Sequence, residues 1–172
     1  MLLSVLSDAS YFSRPRARSV AGSFHHLTRL LRPGLPPDPL AFINGPVSCH
    51  TNTIPVVCSS VQEAEYAALF AAARLADNER SILHNLGYPQ PPTLLLCDNE
   101  IAVGLANQTI TPRLSKSIDM RFHWLQDRIQ RKQFRVEHVA GRDNIADFFT
   151  KALPRIKHQQ FAPFCAVDPV NL

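Results

Sequence analysis

The sequence lacks the features that mark several specialised classes of protein. No segment approaches the roughly 20 consecutive apolar residues of a membrane helix, and the apolar start at residues 1–6 is too short and lacks the basic flank of a secretory signal. The 4 cysteines are widely spaced without a CxxC pair, which argues against a zinc knuckle and a disulfide framework. We therefore expect an intracellular protein of the cytoplasm or nucleus, with reduced thiols and no membrane partner.

The composition that is present favours one globular domain with an affinity for polyanions. The 172 residues suffice for one substantial core, since 45% of them are hydrophobic. The net charge is only +4, but the basic residues are grouped at 14–32, 113–135 and 142–157. Such grouping attracts a polyanion such as nucleic acid, although a solvated helix face also explains a basic stretch.

The hydrophobic pattern predicts both strands and helices. Strands are expected at 2–8, 17–28 and 47–53, with a rigid proline-rich loop at 33–39. Helices at 62–86, 99–107 and 115–132 alternate with strands at 93–97 and 134–138. This order predicts an α/β domain with a five-stranded mixed sheet, three antiparallel strands followed by parallel strands, and helices on both faces. Residues 155–172 lack periodicity and are interpreted as a C-terminal tail, so the predicted domain is 1–154.

Four carboxylates lie where a predicted strand or helix begins or ends. Asp8 and Asp98 each follow an apolar strand. Glu65 lies early in the first helix, and Asp147 follows the last strand. Because buried strands can deliver side chains to one sheet edge, the four are candidates to meet after folding. Capping or turn formation is the alternative explanation for each of them taken alone.

Five sequence blocks around these residues occur in a characteristic order. They are SDASY (7–11), SSVQEAEYAAL (59–69), CDNEIA (97–102), SKSIDMRFH (115–123) and NIADFFTK (144–151). Together they closely resemble the ribonuclease H domain of copia-type LTR retrotransposon polyproteins, from about residue 7 to about residue 154. The resemblance implies a ribonuclease H-like fold.

The resemblance also implies a metal-dependent chemistry. Two Mg²⁺ ions, for which Mn²⁺ can substitute, are expected as cofactors, because such ions prefer carboxylate oxygens. Asp8 is expected to bridge the two ions and Asp147 to complete the site of the ion that activates water. Glu65 and Asp98 are expected to hold the ion near the leaving oxygen. These four residues are thus both the expected catalytic residues and the expected metal ligands.

The choice between two glutamates in the first helix follows from the same resemblance. Two residues apart on a helix, Glu63 and Glu65 point about 200° apart, so only one of them can face the metals. The family pattern puts the ligand directly before an aromatic or apolar residue, here Tyr66, which selects Glu65. Glu63 is assigned to a capping box with Ser60, three residues earlier.

Several other side chains are candidates to contact the nucleic acid, and the histidines are interpreted as structural. The loop at 139–144 contains no histidine, and His138 is interpreted as a strand residue. The pair His25 and His26, and His50, lack metal-ligand spacing with any partner. The candidate substrate contacts are Ser10, Asn99, Lys116, Arg121 and His123.

The leading hypothesis is an endonuclease that hydrolyses the RNA strand of RNA/DNA hybrids. The implied partners are the hybrid and a reverse transcriptase, acting in cis or in trans. Glu65 is also expected to contact the RNA 2′-hydroxyl, the group that distinguishes RNA from DNA. The alternatives are a catalytically inactive or host-adopted nucleic-acid-binding module, a strand-transfer or resolvase-like enzyme on the same fold, and a structural or protein-binding role.

Overall fold

The fold is a single sheet covered by helices. The computed structural model describes residues 1–28, 43, 45–110 and 119–165, apart from the side chains of Asp119 and Met120. The strands are β1 (Leu2–Arg14), β2 (Arg18–Thr28), β3 (Pro46–Thr53), β4 (Thr93–Cys97) and β5 (Phe134–His138). The helices are α1 (Val61–Asn85), α2 (Glu100–Ala106), α3 (Asp119–Gln130) and α4 (Arg155–Cys165), with a 3₁₀ helix at Ile145–Phe149.

The sheet has the order β3-β2-β1-β4-β5, with β1 in the centre. The pairs β1–β2 and β2–β3 are antiparallel, and the pairs β1–β4 and β4–β5 are parallel. Helices carry the parallel crossovers, because parallel strands cannot be joined by a tight turn. The predicted fold class, a five-stranded mixed sheet with three antiparallel strands first, is confirmed.

The start and the end of α1 follow from local sequence chemistry. Ser60 is the N-cap, and its hydroxyl accepts a hydrogen bond from the Glu63 backbone N–H at 3.1 Å. The Glu63 carboxylate in turn accepts from the Ser59 backbone N–H at 2.7 Å, so the two side chains satisfy orphan donors as in a capping box. The helix ends before Gly87, whose φ of +87° suits glycine. Glu63 therefore has the capping role predicted for it.

The two faces of the sheet carry separate apolar clusters. One cluster lies under α1, α2 and α3 and is centred on Val5, Leu69 and Leu95. A second lies under the 3₁₀ helix and α4 and includes Leu6, Phe24 and Phe161. A third lies under the first turns of α1 and includes Ala9, Ile54 and Ala64. Successive residues of β1 point to opposite faces, so Val5 and Leu6 belong to different clusters. Among the described residues, no helix is both long and apolar enough to cross a lipid bilayer.

Two parts of the chain differ from the sequence-based expectation. β1 continues to Arg14 instead of ending near Asp8, because pairing with β2 satisfies the backbone of its polar second half. Residues 155–165 of the predicted tail form α4. Only Phe161 of this helix is fully buried, so its sequence lacks the helical repeat of apolar residues that would have predicted a helix. The proline-rich loop at 33–39 lies outside the described residues, as does the start of the helix predicted at 115.

Candidate metal centre

The parallel ladder between β1 and β4 ends just where two carboxylates begin. Its last pair is Ser7 and Cys97, so Asp8 and Asp98 lie one residue beyond it on adjacent strands. Asp8 is fully buried, and Asp98 is half-buried. The end of the β1–β4 ladder, beside the middle of β1 and at the carboxyl end of β4, therefore opens into an acidic pocket.

Glu65 reaches this pocket from the first turns of α1. Its side chain is buried, and one carboxylate oxygen, Oε2, has no hydrogen-bond partner. The Ala9 backbone N–H donates to the carboxylate, because β1 has left its partner β4 at this point. Burial, and next the charges of Asp8 and Asp98, raise the pKa of the Glu65 carboxyl from 4.5 to about 9.

Asp147 comes from the 3₁₀ helix on the opposite side of the sheet from α1. Asn144 positions this helix, because its fully buried amide donates to the Ser7 carbonyl at 3.0 Å and its oxygen accepts from the Ala146 N–H at 3.2 Å. The Asn144 side chain also hydrogen-bonds Asp98. One residue thus links the 3₁₀ helix to both carboxylate-bearing strands.

The four predicted carboxylates come together. Ligand oxygens of Asp8, Asp98 and Asp147 all lie within 4.8 Å of one another. Glu65, Asp98 and the Cys97 sulfur form a second group within the same distance. Asp98 belongs to both groups and so joins Glu65 to the rest. The structure brings these residues together, and their role as metal ligands remains a prediction.

Two lysines and a threonine enter the pocket. Lys151 Nζ lies 3.0 Å from Asp8 Oδ1 and 2.8 Å from Asp147 Oδ1. Lys157, from α4, contacts the other oxygen of Asp147, and its Nζ also donates to the Gly141 carbonyl at 3.0 Å. The Thr150 hydroxyl donates to Asp8. The carboxylates therefore have ammonium counter-ions from the chain itself.

The two lysines shift the pKa values of the carboxyl groups to different extents. Burial raises the pKa of Asp8 to about 6, although Lys151 and Thr150 act against it. Burial likewise raises the pKa of Asp98, and Lys151 again opposes the shift. Burial acts in the same direction on Asp147, but hydrogen bonds from Lys151 and Lys157 outweigh it, so the Asp147 pKa falls below its ordinary value. Asp147 is therefore the most readily ionised of the four.

The donor set fits magnesium in its chemistry. Carboxylate oxygens are the ligands that Mg²⁺ prefers, and the partnerless Oε2 of Glu65 is a buried acceptor that a cation would satisfy. Burial, followed by the charge of Glu65, raises the pKa of the Cys97 thiol, so this sulfur stays protonated and is a poor ligand. The residues suited to hold hard divalent cations are Asp8, Glu65, Asp98 and Asp147.

The remaining candidate residues lie around the pocket in different roles. Asn99 caps α2, and its side chain accepts from the Ala102 N–H at 3.0 Å. The Ser10 carbonyl accepts from the Ser13 hydroxyl at 3.0 Å. Arg121 lines a cleft between α1 and strands β2 and β3. His123 is exposed on α3, and Lys116 lies outside the described residues. Among the described residues, the contacts given for Ser10, Asn99 and Arg121 do not involve the four carboxylates of the pocket.

Three features were missed from the sequence. Lys151 follows Asp147 by four residues in the last block, a spacing that signals a possible ion pair. Lys157 lies in the predicted tail and carried no signal. His25 and His50 show no metal-ligand spacing in the sequence, whereas in the structure both lie beside Glu79 of α1, with ligand atoms within 4.8 Å of one another. By contrast, His138 ends β5 as expected, and its Nε2 lies 3.2 Å from the Asp98 carbonyl oxygen.

Sequence comparison finds relatives among plant retroelement proteins. The chain is 28% identical over 118 residues to the Retrovirus-related Pol polyprotein from transposon TNT 1-94 of Nicotiana tabacum, which covers 69% of the chain and 9% of the relative. It is 30% identical over 118 residues to the corresponding polyprotein from transposon RE2 of Arabidopsis thaliana, covering 68% and 8%. The chain thus spans less than a tenth of these relatives. No protein-family model matches.

Solved structures with the same fold are ribonucleases H or contain one. LC11-RNase H1 in complex with RNA/DNA hybrid superposes with a TM-score of 0.59 at 12% identity, over 86% of this chain and 93% of that one. RNase H1 from the archaeon Halobacterium salinarum gives 0.53 at 16%, over 87% and 95%. The foamy viral protease-reverse transcriptase in complex with RNA/DNA hybrid gives 0.50 at 16%, over 87% and 19%. At these identities the match establishes the fold.

Proposed function

We propose that this chain, which belongs to the family of copia-type retrotransposon Pol polyproteins and has a ribonuclease H fold, hydrolyses the RNA strand of RNA/DNA hybrids with two bound Mg²⁺ ions. The observation that carries the proposal is the meeting of four carboxylates, brought by β1, α1, β4 and the 3₁₀ helix, where the parallel ladder between β1 and β4 ends. A purely structural site has no need for a buried glutamate whose Oε2 is without a partner.

The carboxylates have distinct roles in this proposal. Bound divalent cations supply an activated water and neutralise charge at the scissile phosphate. Asp8, fully buried on the central strand, would help to hold both cations. Asp147 would help to hold one of them, and Glu65 with Asp98 would hold the other. Glu65 would bind as a carboxylate and would also contact the RNA 2′-hydroxyl.

Cations bound by these carboxylates would displace the two lysines from them. Lys151 and Lys157 now neutralise Asp8 and Asp147 from inside the pocket. Once displaced, their ammonium groups remain on flexible stems beside the centre, where they are suited to contact phosphate oxygens of the backbone. Two proteins of similar fold give independent support for the proposed substrate. LC11-RNase H1 and the foamy viral protease-reverse transcriptase were both solved in complex with an RNA/DNA hybrid.

One observation favours a rival function. The chain's own ammonium groups already satisfy two of the four carboxylates, and a protein that had lost metal binding would benefit from that arrangement. In that case the domain binds hybrids without cleaving them. Activity and binding measurements separate the two functions.

The test is cleavage of a labelled RNA/DNA hybrid, with matched RNA and DNA duplexes as controls, in Mg²⁺, Mn²⁺ and chelator. We expect cleavage of the RNA strand only, dependent on metal and lost in Asp98→Asn. Asp143→Asn is the matched control, because Asp143 is a nearby aspartate that forms an ion pair with exposed Arg142. A folded wild-type protein that binds the hybrid but does not cleave it contradicts the proposal and favours the binding module.

A further inference from the structure

A second group of polar side chains lies under α1, away from the carboxylates. Ser23 and His25 of β2 pair with His50 and Ser48 of β3, respectively. Opposite residues of an antiparallel pair share a face, as do residues two apart on one strand. The four side chains therefore form a square, and Glu79 of α1 covers it. We call these five residues the histidine cluster.

The histidine cluster has the ligands and the spacing of a transition-metal site. Ligand atoms of His25, His50 and Glu79 all lie within 4.8 Å of one another. In a tetrahedral zinc site with bonds of about 2.1 Å, ligand atoms lie roughly 3.4 Å apart. Small side-chain adjustments would therefore close the cluster around one ion. Two imidazoles and one carboxylate are a known zinc donor set, whereas magnesium prefers oxygen donors alone.

The surrounding hydrogen bonds orient each of these ligands. His25 Nδ1 lies 2.7 Å from Glu79 Oε2, and His25 Nε2 lies 2.9 Å from Ser23 Oγ. Ser48 Oγ donates to Glu79 Oε1 at 2.5 Å. The Ser48 hydroxyl has one proton, so His50 Nε2, 3.1 Å away, must be the donor to it. His50 Nδ1 then carries the lone pair in the neutral ring, and second-shell bonds of this kind support metal ligands.

We propose that the histidine cluster is a second metal site, which binds one zinc-class transition ion through His25, His50 and Glu79. The site is separate from the carboxylate centre. His25 lies three residues along β2 from Gly22, the partner of Asp8, which is about 10 Å along a strand. A bound ion would tie the edge strand β3 to β2 and α1, and would leave a fourth position open to water.

The experiment measures zinc binding to the full chain after removal of metals, by competition with a chromophoric chelator in excess Mg²⁺. The Mg²⁺ occupies the carboxylate centre and leaves zinc to the imidazoles. We expect one Zn²⁺ per chain, with the affinity reduced at least about 100-fold in His50→Gln, because one of three ligands is lost. Asp98→Asn and Cys49→Ser are the controls. Cys49 precedes His50 on the opposite face of β3, so both control variants should bind zinc like the wild type.

Two further measurements make the result decisive. Zn²⁺ should raise the thermal midpoint of the wild type and not that of His50→Gln, which is expected to fold because His50 is partly exposed on an edge strand. Glu79→Gln keeps an acceptor for Ser48 and removes the charge, and it should lose zinc in the same way. Equal zinc binding by wild type and His50→Gln, loss of binding in Cys49→Ser, or no binding by the wild type would each overturn the proposal. The five residues would then form only a hydrogen-bonded network.

Discussion

The burial of the Glu65 carboxyl predicts how the free energy of unfolding depends on pH in the absence of metal. Its pKa rises from 4.5 to about 9 on folding, so the folded chain binds more protons than the unfolded chain between these values. By linkage, Glu65 lowers stability progressively as pH rises through this window. The cost grows by about 1.4 kcal/mol per pH unit, which gives about 3 kcal/mol at pH 7.

Glu65→Gln should remove this cost, because glutamine has nearly the same shape and never ionises. In chelator, we expect the variant to exceed the wild type in free energy of unfolding by less than about 1 kcal/mol at pH 5, about 3 at pH 7 and about 5 at pH 8.5. Urea unfolding of both proteins at the three pH values measures the difference directly.

The matched control is Glu63→Gln, a buried glutamate on the same helix. Its carboxylate accepts from the Ser59 N–H and hydroxyl at 2.7 and 2.6 Å, so its loss should destabilise the chain by about 1 kcal/mol, as loss of a helix cap does. A Glu65→Gln protein that is less stable than wild type at pH 7, or a difference that does not change with pH, would refute the reasoning about Glu65.

Three more changes test other parts of the structure. Gly22→Ala would place a Cβ 2.5 Å from Thr150 Cγ2. Urea unfolding should therefore show a loss of about 1–3 kcal/mol in the free energy of unfolding. An unchanged free energy of unfolding would mean that the 3₁₀ helix shifts to accommodate the methyl group at no cost. Phe161→Ala should cost about 3–5 kcal/mol, as for other buried aromatics, and a loss below about 1 kcal/mol would argue that α4 is not docked. Lys157→Met should tighten Mg²⁺ binding roughly tenfold, or by about 1.4 kcal/mol, as measured by calorimetry. The reason is that no ammonium group has to be displaced from Asp147 before the metal binds. Weaker Mg²⁺ binding by the variant would contradict competition between the lysine and the metal.

The parts of the fold with strong local signals were predictable from the sequence. Strands β4 and β5 have the predicted bounds, because short apolar runs between turn residues define them. The start of α1 was predictable from Ser60 and Glu63, since capping chemistry is local. The second half of β1 was not, because its pairing with β2 overrides a polar pattern.

The candidate site divides in the same way. Its acidic half was predictable because each carboxylate lies in or directly after a recognisable element and within a block that resembles the family. Its basic half was not fully accessible, because Lys157 reaches Asp147 only after α4 docks through Phe161. The histidine cluster is the extreme case, since Glu79 and His25 are 54 residues apart and meet only because α1 crosses β2.

The position of Asn144 has a further consequence for how the carboxylate centre comes apart. Asp8 and Asp98 lie on adjacent inner strands, whereas Asp147 lies on a 3₁₀ helix pinned by Asn144 and backed by a terminal helix. Opening the latter layer exposes the apolar cluster around Leu6, Phe24 and Phe161 but breaks no strand pairing, so we expect its free energy of opening to lie below the global value. We therefore expect Asp147 to leave the other carboxylates, with release of any bound ions, while the amides of the sheet stay protected from hydrogen exchange. We therefore expect the lifetime of the complete site to follow the opening of the 3₁₀ helix and α4 and not global unfolding.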